Sequence, residues 1–267
     1  MTTPFYVGPE QIVRDKSEYA RRGIARGRSV VALTGADGIL FVGENPSKSL
    51  HKVSEIYDRI AFAAVGRYNE FENLRVAGVR YADMRGYAYD RRDVTGRGLA
   101  NAFAQTLGAI FIESQKPYEI EVVVAELRDT AEDDQMYRLA FDGSLTEERG
   151  FVAMGGQAEA ITTSLREHHD AAAGLADAMR VALQAIAAGN AAAASAGATT
   201  PGAAGGTGVN GAPHADPTAA TLEVALLDRG RRRRTFRRIT DGALRTLVEQ
   251  AGGGTDSSPG PDSANPE

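Results

Sequence analysis

The sequence predicts an α+β protein with a four-layer αββα sandwich, in which two packed antiparallel sheets are covered by helices on both outer faces. Predicted strands come in blocks and predicted helices in pairs: helix, four strands, two helices, three strands, two helices, two strands, helix. A doubly wound α/β sheet would instead alternate strands with helices. The composition, 43% hydrophobic and 24% charged over 267 residues, is ordinary for a globular domain of this size.

The first part of the chain supplies one helix, two hairpins and a helix pair. Pro9 suits the first turn of a helix, and apolar residues recur on one face of the segment that follows. Ala36-Asp37-Gly38 joins two short apolar runs, which is a hairpin signal. Asn69 with Glu72 matches the capping box of a helix start. The elements predicted up to residue 115 are a helix over 9–24, strands over 29–35, 38–45, 52–56 and 59–66, and helices over 69–84 and 93–115.

The second part of the chain contains a long low-complexity insertion inside the same domain, which spans 9–250. Residues 189–217 are nearly all Ala, Gly, Ser, Thr and Pro, so they bury too little apolar surface to offset the entropy of ordering, and we predict a disordered insertion. Residues 251–267 are predicted to be a disordered, mildly acidic tail. The elements predicted here are strands over 118–127, 135–144 and 150–156, helices over 157–168 and 174–188, strands over 221–228 and 235–239, and a helix over 240–250.

Composition excludes several classes of protein. The absence of cysteine rules out disulfides, thiolate nucleophiles and cysteine metal sites. No apolar run approaches the roughly 20 residues that cross a bilayer, and the start lacks a secretion signal, so we expect a cytoplasmic protein with no membrane partner. The net charge of −5 argues against nucleic acid as the main partner. The arginine-rich run at 229–238 is interpreted as a solvated edge strand, with an RNA-binding or acidic-partner patch as the alternative.

The chain offers few of the residues that build a catalytic centre. It has four histidines, His51, His168, His169 and His214, and the last lies in the predicted insertion. There is no G-x-S-x-G elbow for a serine nucleophile. No histidine–carboxylate cluster has metal-ligand spacing, and the glycines of the insertion lack the lysine of a phosphate-binding loop. We therefore predict no metal and no cofactor.

Lys52 is the candidate functional residue that the sequence singles out. It begins the predicted strand over 52–56, at the mouth of a sheet. A lysine in such a place can lower the pKa of a neighbouring nucleophile, can hold an anion as a compact point charge, or can be a solvated charge at a strand end. The residue pattern alone leaves these alternatives open.

Several sequence motifs, taken in order, resemble the proteasome α-type subunit in its actinobacterial form. The resemblance covers nearly all of residues 4–188 and 218–250, and the low-complexity segments have no counterpart in it. Its motifs are SEYARRGIARG at 17–27, FVGENPSKSLHKVSEIYDR at 41–59, GRYNEFENLR at 66–75, RGYAYDRRDVTGRGLANAFAQTLG at 85–108, KPYEIEVVVAEL at 116–127 and FRRIT at 236–240.

The resemblance implies the fold of the N-terminal-nucleophile hydrolases but not their chemistry. In the catalytic relatives, an N-terminal threonine opens the first strand and works with a carboxylate and a lysine. The corresponding place here is Arg28-Ser29, inside the chain, the carboxylate place is Glu44, and only Lys52 matches the lysine. Thr2, exposed if Met1 were removed, precedes the first helix instead of opening a strand, so we do not expect it to be a nucleophile.

The resemblance also implies a function and partners. It predicts a non-catalytic subunit that forms heptameric rings with itself, caps the β-subunit rings and gates the entry of unfolded, pupylated proteins. Lys52 is then expected to line a pocket between subunits that receives the C-terminal tail of a hexameric AAA ATPase. Residues 1–8 are expected to close the pore, with Thr2, Thr3, Pro4, Phe5 and Tyr6 as gate residues. The alternative is a stand-alone N-terminal-nucleophile amidohydrolase.

Overall fold

The computed structural model describes residues 8–197 and 220–252, which form two five-stranded antiparallel sheets and six α-helices within those ranges. The helices are α1 (Pro9–Ala25), α2 (Tyr68–Ala88), α3 (Gly96–Glu113), α4 (Ala158–His168), α5 (Leu175–Gly197) and α6 (Asp241–Gly252). The strands are β1 (Val30–Gly35), β2 (Gly38–Glu44), β3 (Val53–Tyr57), β4 (Ile60–Gly66), β5 (Ile120–Glu126), β6 (Gln135–Leu139), β7 (Leu145–Glu148), β8 (Phe151–Met154), β9 (Leu222–Asp228) and β10 (Phe236–Ile239).

The two sheets are built from hairpins that come from distant parts of the chain. The first sheet has the order β10-β9-β2-β1-β8, and the second has the order β3-β4-β5-β6-β7. The β1–β2 hairpin pairs Leu33 with Leu40, and the long-range pairing of β4 with β5 places Ala63 opposite Val123. Every pairing is antiparallel. Antiparallel pairing is what the blocks of strands in the sequence predicted.

Three apolar clusters separate four layers, which confirms the predicted αββα sandwich. One cluster lies between the two sheets and includes Phe41 and Val123. A second joins the first sheet to α4, α5 and α6 and includes the fully buried Met179. The third joins the second sheet to α2 and α3 through Phe62 and Phe103, whose rings meet edge to face at 5.9 Å. The central strands have continuous apolar sequences because both of their faces are covered.

Helix α1 lies outside this layered order and packs on β4 and β5 of the second sheet. Ala20 and Ile24 are its buried residues. The ammonium of Lys16 donates to the carbonyls of Phe111 (3.0 Å) and Ser114 (2.8 Å) at the end of α3, where a cation complements the helix dipole. In the described part of the chain, no helix is long and apolar enough to cross a membrane.

One predicted helix cap and one predicted helix start are wrong. The capping box of Asn69 and Glu72 does not form: α2 begins at Tyr68 without a side-chain cap, and Glu72 accepts instead from the Arg75 guanidinium at 2.8 Å and 2.6 Å. The cause is the antiparallel pairing of β4, which continues to Gly66, so that the N-cap position falls on Arg67, whose side chain forms no capping hydrogen bond. The helix predicted over 93–115 is a 3₁₀ turn followed by α3, whose N-terminus is capped by Thr95.

Two predictions in the second part of the chain are also corrected. Helix α5 continues to Gly197, so the start of the predicted insertion at 189 is helical. Alanine has the highest helix propensity, and Asn190 is fixed by a 2.9 Å hydrogen bond to Glu44. The strand predicted over 135–144 ends at Leu139, and a turn at Gly143 leads into β7, which the sequence did not predict. The remainder of the insertion prediction, and the tail beyond Gly252, lie outside the described residues.

Candidate functional site

A cleft of about 510 Å³ opens beside α1, where the start of β1, the loop between β2 and β3, and the junction of β4 with α2 come together. Its lining is rich in cationic side chains and contains one carboxylate. The charged residues that line it are Arg26, Arg28, Lys52, Arg67 and Glu119. An anionic group is therefore the ligand that the charges of the cleft favour.

Lys52 lines this cleft, as an anion-binding role requires, and its side chain is anchored there. The ammonium donates a 2.8 Å hydrogen bond to the carbonyl oxygen of Arg28, two residues before β1. An ammonium carries three donors, so this bond leaves donor capacity for another acceptor. The structure thus places the Lys52 ammonium beside the start of the first strand.

The electrostatic surroundings of Lys52 are mixed. Burial lowers the pKa of its ammonium to about 8, the charges of Glu223 and Glu44 oppose that effect, and the charge of Arg28 adds to it. Because the pKa stays above 7, most of the side chain remains protonated at neutral pH. The cleft therefore keeps a positive charge on this lysine under physiological conditions.

Glu223 fixes the backbone from which Lys52 projects. This buried carboxylate on β9 accepts from the backbone N–H groups of Lys52 (2.9 Å) and Val53 (3.2 Å) and from the Asn45 amide (2.7 Å). The Arg238 guanidinium also donates to it. One carboxylate thus ties β9, β3 and the loop between β2 and β3 together. A buried charge of this kind is stable because it is paired and fully hydrogen-bonded.

The opposite wall of the cleft is an ion-pair network around Glu119. The Arg67 Nε lies 2.7 Å from Glu119 Oε1, and the Lys116 ammonium lies 3.1 Å from the same oxygen. Glu70 accepts from the backbone N–H of Glu119 (2.6 Å) and from Lys116 (2.5 Å). The two glutamates are buried, whereas the side chain of Arg67 is 55% exposed. The network therefore holds Arg67 at the open side of the cleft.

Two glycines allow the close approach of Glu119. At Gly66, φ is +110°, and a Cβ there would overlap the carbonyl of Glu119, so only glycine fits the end of β4. At Gly23 on α1, a Cβ would overlap the carboxylate of Glu119. The carboxylate is thus packed against the helix, which limits its movement.

The geometry at the start of β1 does not supply an N-terminal nucleophile in the described chain. Ser29 is 2% exposed, its hydroxyl donates to Gln157 Oε1 at 3.3 Å, and its nitrogen forms the peptide bond with Arg28. A nitrogen in a peptide bond cannot serve as the base that a free α-amine provides. Glu44, at the predicted carboxylate place, is buried and accepts from Asn190.

The other residues singled out in the sequence have structural partners or lie outside the described chain. His51 Nδ1 lies 3.3 Å from Glu223, and His169 Nε2 lies 3.0 Å from the carbonyl of Thr34. Within the described ranges, no group of histidines and carboxylates is arranged to hold a metal. Thr2, Thr3, Pro4, Phe5, Tyr6 and His214 lie outside the described residues.

The arginine-rich run ends in β10, an edge strand of the first sheet, and most of its arginines are paired within the fold. Arg229 pairs with Asp134 at 2.7 Å, Arg237 with Asp228 at 2.8 Å, and Arg238 with Glu223. These pairs connect the hairpin to both sheets. The predicted edge strand is present, but the prediction that its arginines are solvated is wrong for these three, which are ion-paired and mostly buried.

The two-sheet sandwich, with a lysine beside the start of its first strand, defines the class of N-terminal-nucleophile hydrolase folds. A family model described as "Proteasome subunit" matches residues 24–200. A protein of Frankia alni named "Proteasome subunit alpha" is 62% identical over 251 residues, which cover 94% of this chain and 98% of that protein. Proteins of the same name from Geodermatophilus obscurus (58% identical, 94% and 82% covered) and Thermobifida fusca (54%, 94% and 92%) are also similar.

The chain therefore belongs to the proteasome subunit family, among the α-type subunits of actinobacterial form.

Sequence reasoning missed the residues that organise the cleft around Lys52. Glu223 stands in the otherwise apolar run of β9, and Glu119 immediately precedes the apolar run of β5. A carboxylate beside or within a buried strand must find a partner, so these positions carried a signal. Arg238 meets Glu223 through the pairing of the neighbouring strands β9 and β10, whereas Arg67 is far from Glu119 in sequence and meets it only through the pairing of β4 with β5.

Proposed function

We propose that this α-type subunit is a non-catalytic gating subunit, and that its Lys52 cleft docks the C-terminal tail of a ring ATPase. The observation that carries the proposal is the pairing of Lys52 with the carbonyl of Arg28. The lysine stands where a catalytic relative needs it, but the residue it contacts is internal and offers no nucleophile. Its remaining capacity is to bind an anion.

The terminal carboxylate of a peptide fits this site because it is a compact anion that can reach into a narrow cleft. A charge-assisted hydrogen bond of a partly desolvated lysine to such a group contributes on the order of 1–3 kcal/mol. The other cations of the lining, Arg26, Arg28 and Arg67, reinforce the preference for negative charge. In a ring, the cleft beside α1 would adjoin the neighbouring subunit.

Exposed apolar side chains support assembly into heptameric rings that cap β-subunit rings. On α1, Ile12 and Val13 are 45% and 51% exposed, and we propose that this helix packs on the neighbouring α subunit. Near the end of α2, Met84 and Tyr87 are 72% and 94% exposed, and the segment over 85–111 is proposed to contact the β ring. Large exposed apolar side chains of this kind mark protein interfaces.

The remainder of the proposal follows the family. Residues 1–8, which precede α1, would converge on the ring axis and close the entry pore, and the substrates would be unfolded, pupylated proteins delivered by the ATPase. Proteolysis would be carried out by the β subunits in the cytoplasm. No cofactor takes part.

The proposal is tested by purifying the chain alone and together with a β subunit from the same genome, then measuring native mass and peptidase activity. We expect an inactive chain alone, and a large barrel with activity only in the mixture. A chain that stays monomeric in the presence of several β partners would contradict the proposal. Lys52→Ala in the assembled particle is then expected to abolish stimulation by the ATPase while leaving assembly intact.

The same preparation tests the alternative, a stand-alone amidohydrolase. That enzyme would need cleavage of its own chain before a serine or threonine to expose an α-amine. An intact mass equal to the full chain, or to the chain without Met1, excludes cleavage before Ser29. Activity of the chain alone would make Thr2 the first residue to replace.

A further inference from the structure

We infer that Arg67, positioned by Glu119, is a second carboxylate-binding side chain of the Lys52 cleft. The inference rests on the proposed function, because it requires that a segment with a free C-terminal carboxylate docks there. It assigns a binding role to Arg67 and a positioning role to Glu119.

The geometry of Arg67 suits this role. Its Nε forms an ion pair with Glu119 Oε1 at 2.7 Å, and in the described ranges its side chain has no hydrogen bond and no other ion pair. Glu119 Oε1 is a buried acceptor without a hydrogen-bond partner among the described residues, so Glu119 holds the guanidinium by charge and not by an aligned hydrogen bond. A guanidinium presents five N–H donors in a rigid fork, and its terminal nitrogens remain free to donate. The side chain is 55% exposed and lines the cleft together with Lys52. A fork of this kind matches the two oxygens of a carboxylate.

Glu119 is rigid enough to act as the anchor. Its backbone N–H is held by Glu70 at 2.6 Å, its carboxylate is 3.1 Å from Lys116, and its backbone carbonyl accepts from the N–H of Arg67 at 3.1 Å. The glycine at position 23 of α1 leaves just enough room for the carboxylate. A binding group whose orientation is fixed in advance loses less entropy when its ligand arrives.

Two possible effects of Glu119 on anion binding, repulsion by its charge and orientation of Arg67, predict opposite results when Glu119 is neutralised. The cleft binds an anion, so removal of a negative charge from its wall should strengthen binding if Coulomb attraction alone decides. If Glu119 acts by orienting Arg67, its neutralisation should weaken binding. The sign of the effect of Glu119→Gln therefore separates the two explanations.

The test uses the assembled particle and labelled octapeptides with randomised last three residues. A library with a free C-terminal carboxylate is first screened by fluorescence anisotropy, and the best binder is then compared with its C-terminal carboxamide. The variants are Arg67→Met, Arg67→Lys, Glu119→Gln and Gly23→Ala. The last keeps every charge, but its Cβ would overlap the Glu119 carboxylate and so forces that group out of its position beside Arg67.

The matched controls are Arg75→Met and Glu72→Gln. These residues form another arginine–glutamate pair, at 2.6 Å on α2, and neither lines the cleft. Thermal melting and native mass of each particle show whether a variant has lost its fold or its assembly.

We expect Arg67→Met to weaken binding of the free-carboxylate peptide roughly tenfold, the loss of one charge-assisted bond, and to leave binding of the carboxamide unchanged. Glu119→Gln and Gly23→Ala should weaken binding of the free-carboxylate peptide several-fold. Arg67→Lys should keep part of the affinity that Arg67→Met loses. The two controls should leave the affinity unchanged. Stronger binding by Glu119→Gln, unchanged binding by Arg67→Met, or equal losses for both peptides would overturn the inference.

Failure of the proposed function gives a different pattern. If the unmodified particle binds the acid and the carboxamide equally well, and Lys52→Ala has no effect, then the cleft does not dock a carboxylate at all. If Lys52→Ala abolishes the preference for the acid and Arg67→Met does not, the proposed function stands and the role of Arg67 is wrong.

Discussion

At the scale of single residues, Lys52 carries a charge that burial disfavours, so its protonation is linked to stability. Its pKa in the fold is about 8, below the ordinary value of 10.5, because burial penalises the ammonium. Between these two pH values the unfolded chain binds more protons than the folded chain, so the contribution of Lys52 to stability rises with pH across this window.

We therefore expect the unfolding free energy of the unmodified chain to rise relative to that of Lys52→Met as the pH increases from 8 to 10.5. The measurement is urea denaturation at several pH values in this range. Lys48→Met is the control, since its side chain lies in an exposed loop. A difference that is flat with pH would show that Lys52 titrates normally.

Glu223 is the shared hydrogen-bond acceptor that holds the surrounding strands together, although it stands in an otherwise apolar run of β9. Replacement by alanine leaves the N–H groups of Lys52 and Val53 without their acceptor and the Arg238 guanidinium without its anion. Loss of one partner of a buried ion pair costs about 3–5 kcal/mol, so we expect Glu223→Ala to lower the unfolding free energy by that amount.

The control for Glu223 is Arg234→Ala. Arg234 is paired with Glu55 at 2.7 Å, but its side chain is 77% exposed. An exposed pair contributes no more than about 1 kcal/mol. The measurement is chemical denaturation of both variants. Equal losses of unfolding free energy would mean that the Glu223 interactions contribute no more than an exposed ion pair does.

At the scale of elements, α2 and α3 meet through a glycine. A Cβ at Gly78 would overlap the ring of Phe103, which itself packs edge to face on Phe62. Overpacking of a close contact of this kind costs about 1–3 kcal/mol, more than the gain in helix propensity from glycine to alanine. We expect Gly78→Ala to lower the melting temperature of the chain.

Gly242 is the matched control, because it lies in α6 and no atom would approach its added Cβ within 4 Å. Gly242→Ala should leave the melting temperature unchanged or raise it slightly. If both variants raise the melting temperature, the packing of α2 on α3 is looser than the described contacts indicate.

The elements also show where sequence patterns succeed. Strongly apolar strands such as β2 and β4 were predicted to within about a residue, because both of their faces are buried and their ends carry turn signals. The edge strand β7 was missed because three of its four residues are exposed and its composition is polar. Helix α5 was predicted too short because low complexity was interpreted as disorder, although alanine favours helix.

At the scale of the whole molecule, the segment before α1 is predicted to control entry to the assembled particle. If residues 1–8 close the pore of an assembled ring, deletion of residues 2–8 should raise the rate of peptide hydrolysis several-fold without altering the β active sites. The comparison is between deleted and full-length particles of equal native mass, assayed with a short peptide and with an active-site titrant. An unchanged rate with equal titration would contradict the gating role of this segment.

The fold of the whole chain also explains why the start of its first strand offers no free amine. The sandwich keeps a lysine at the mouth of its first strand, yet α1 precedes that strand, so the chain presents a peptide bond where a catalytic relative presents a free amine. The surrounding arginines then give the same corner of the fold an attraction for anions.

Local patterns in the amino-acid sequence, namely apolar periodicity, turn residues and short motifs, were enough to predict the sandwich, the family resemblance and Lys52 as the residue of interest. Tertiary structure alone decided the charge and shape of the cleft. Glu223 reaches Lys52 across two strands that are distant in the chain, and Arg67 and Glu119 meet through the pairing of β4 with β5. Ion pairs and burial depend on distances in space, and local sequence patterns do not specify those distances.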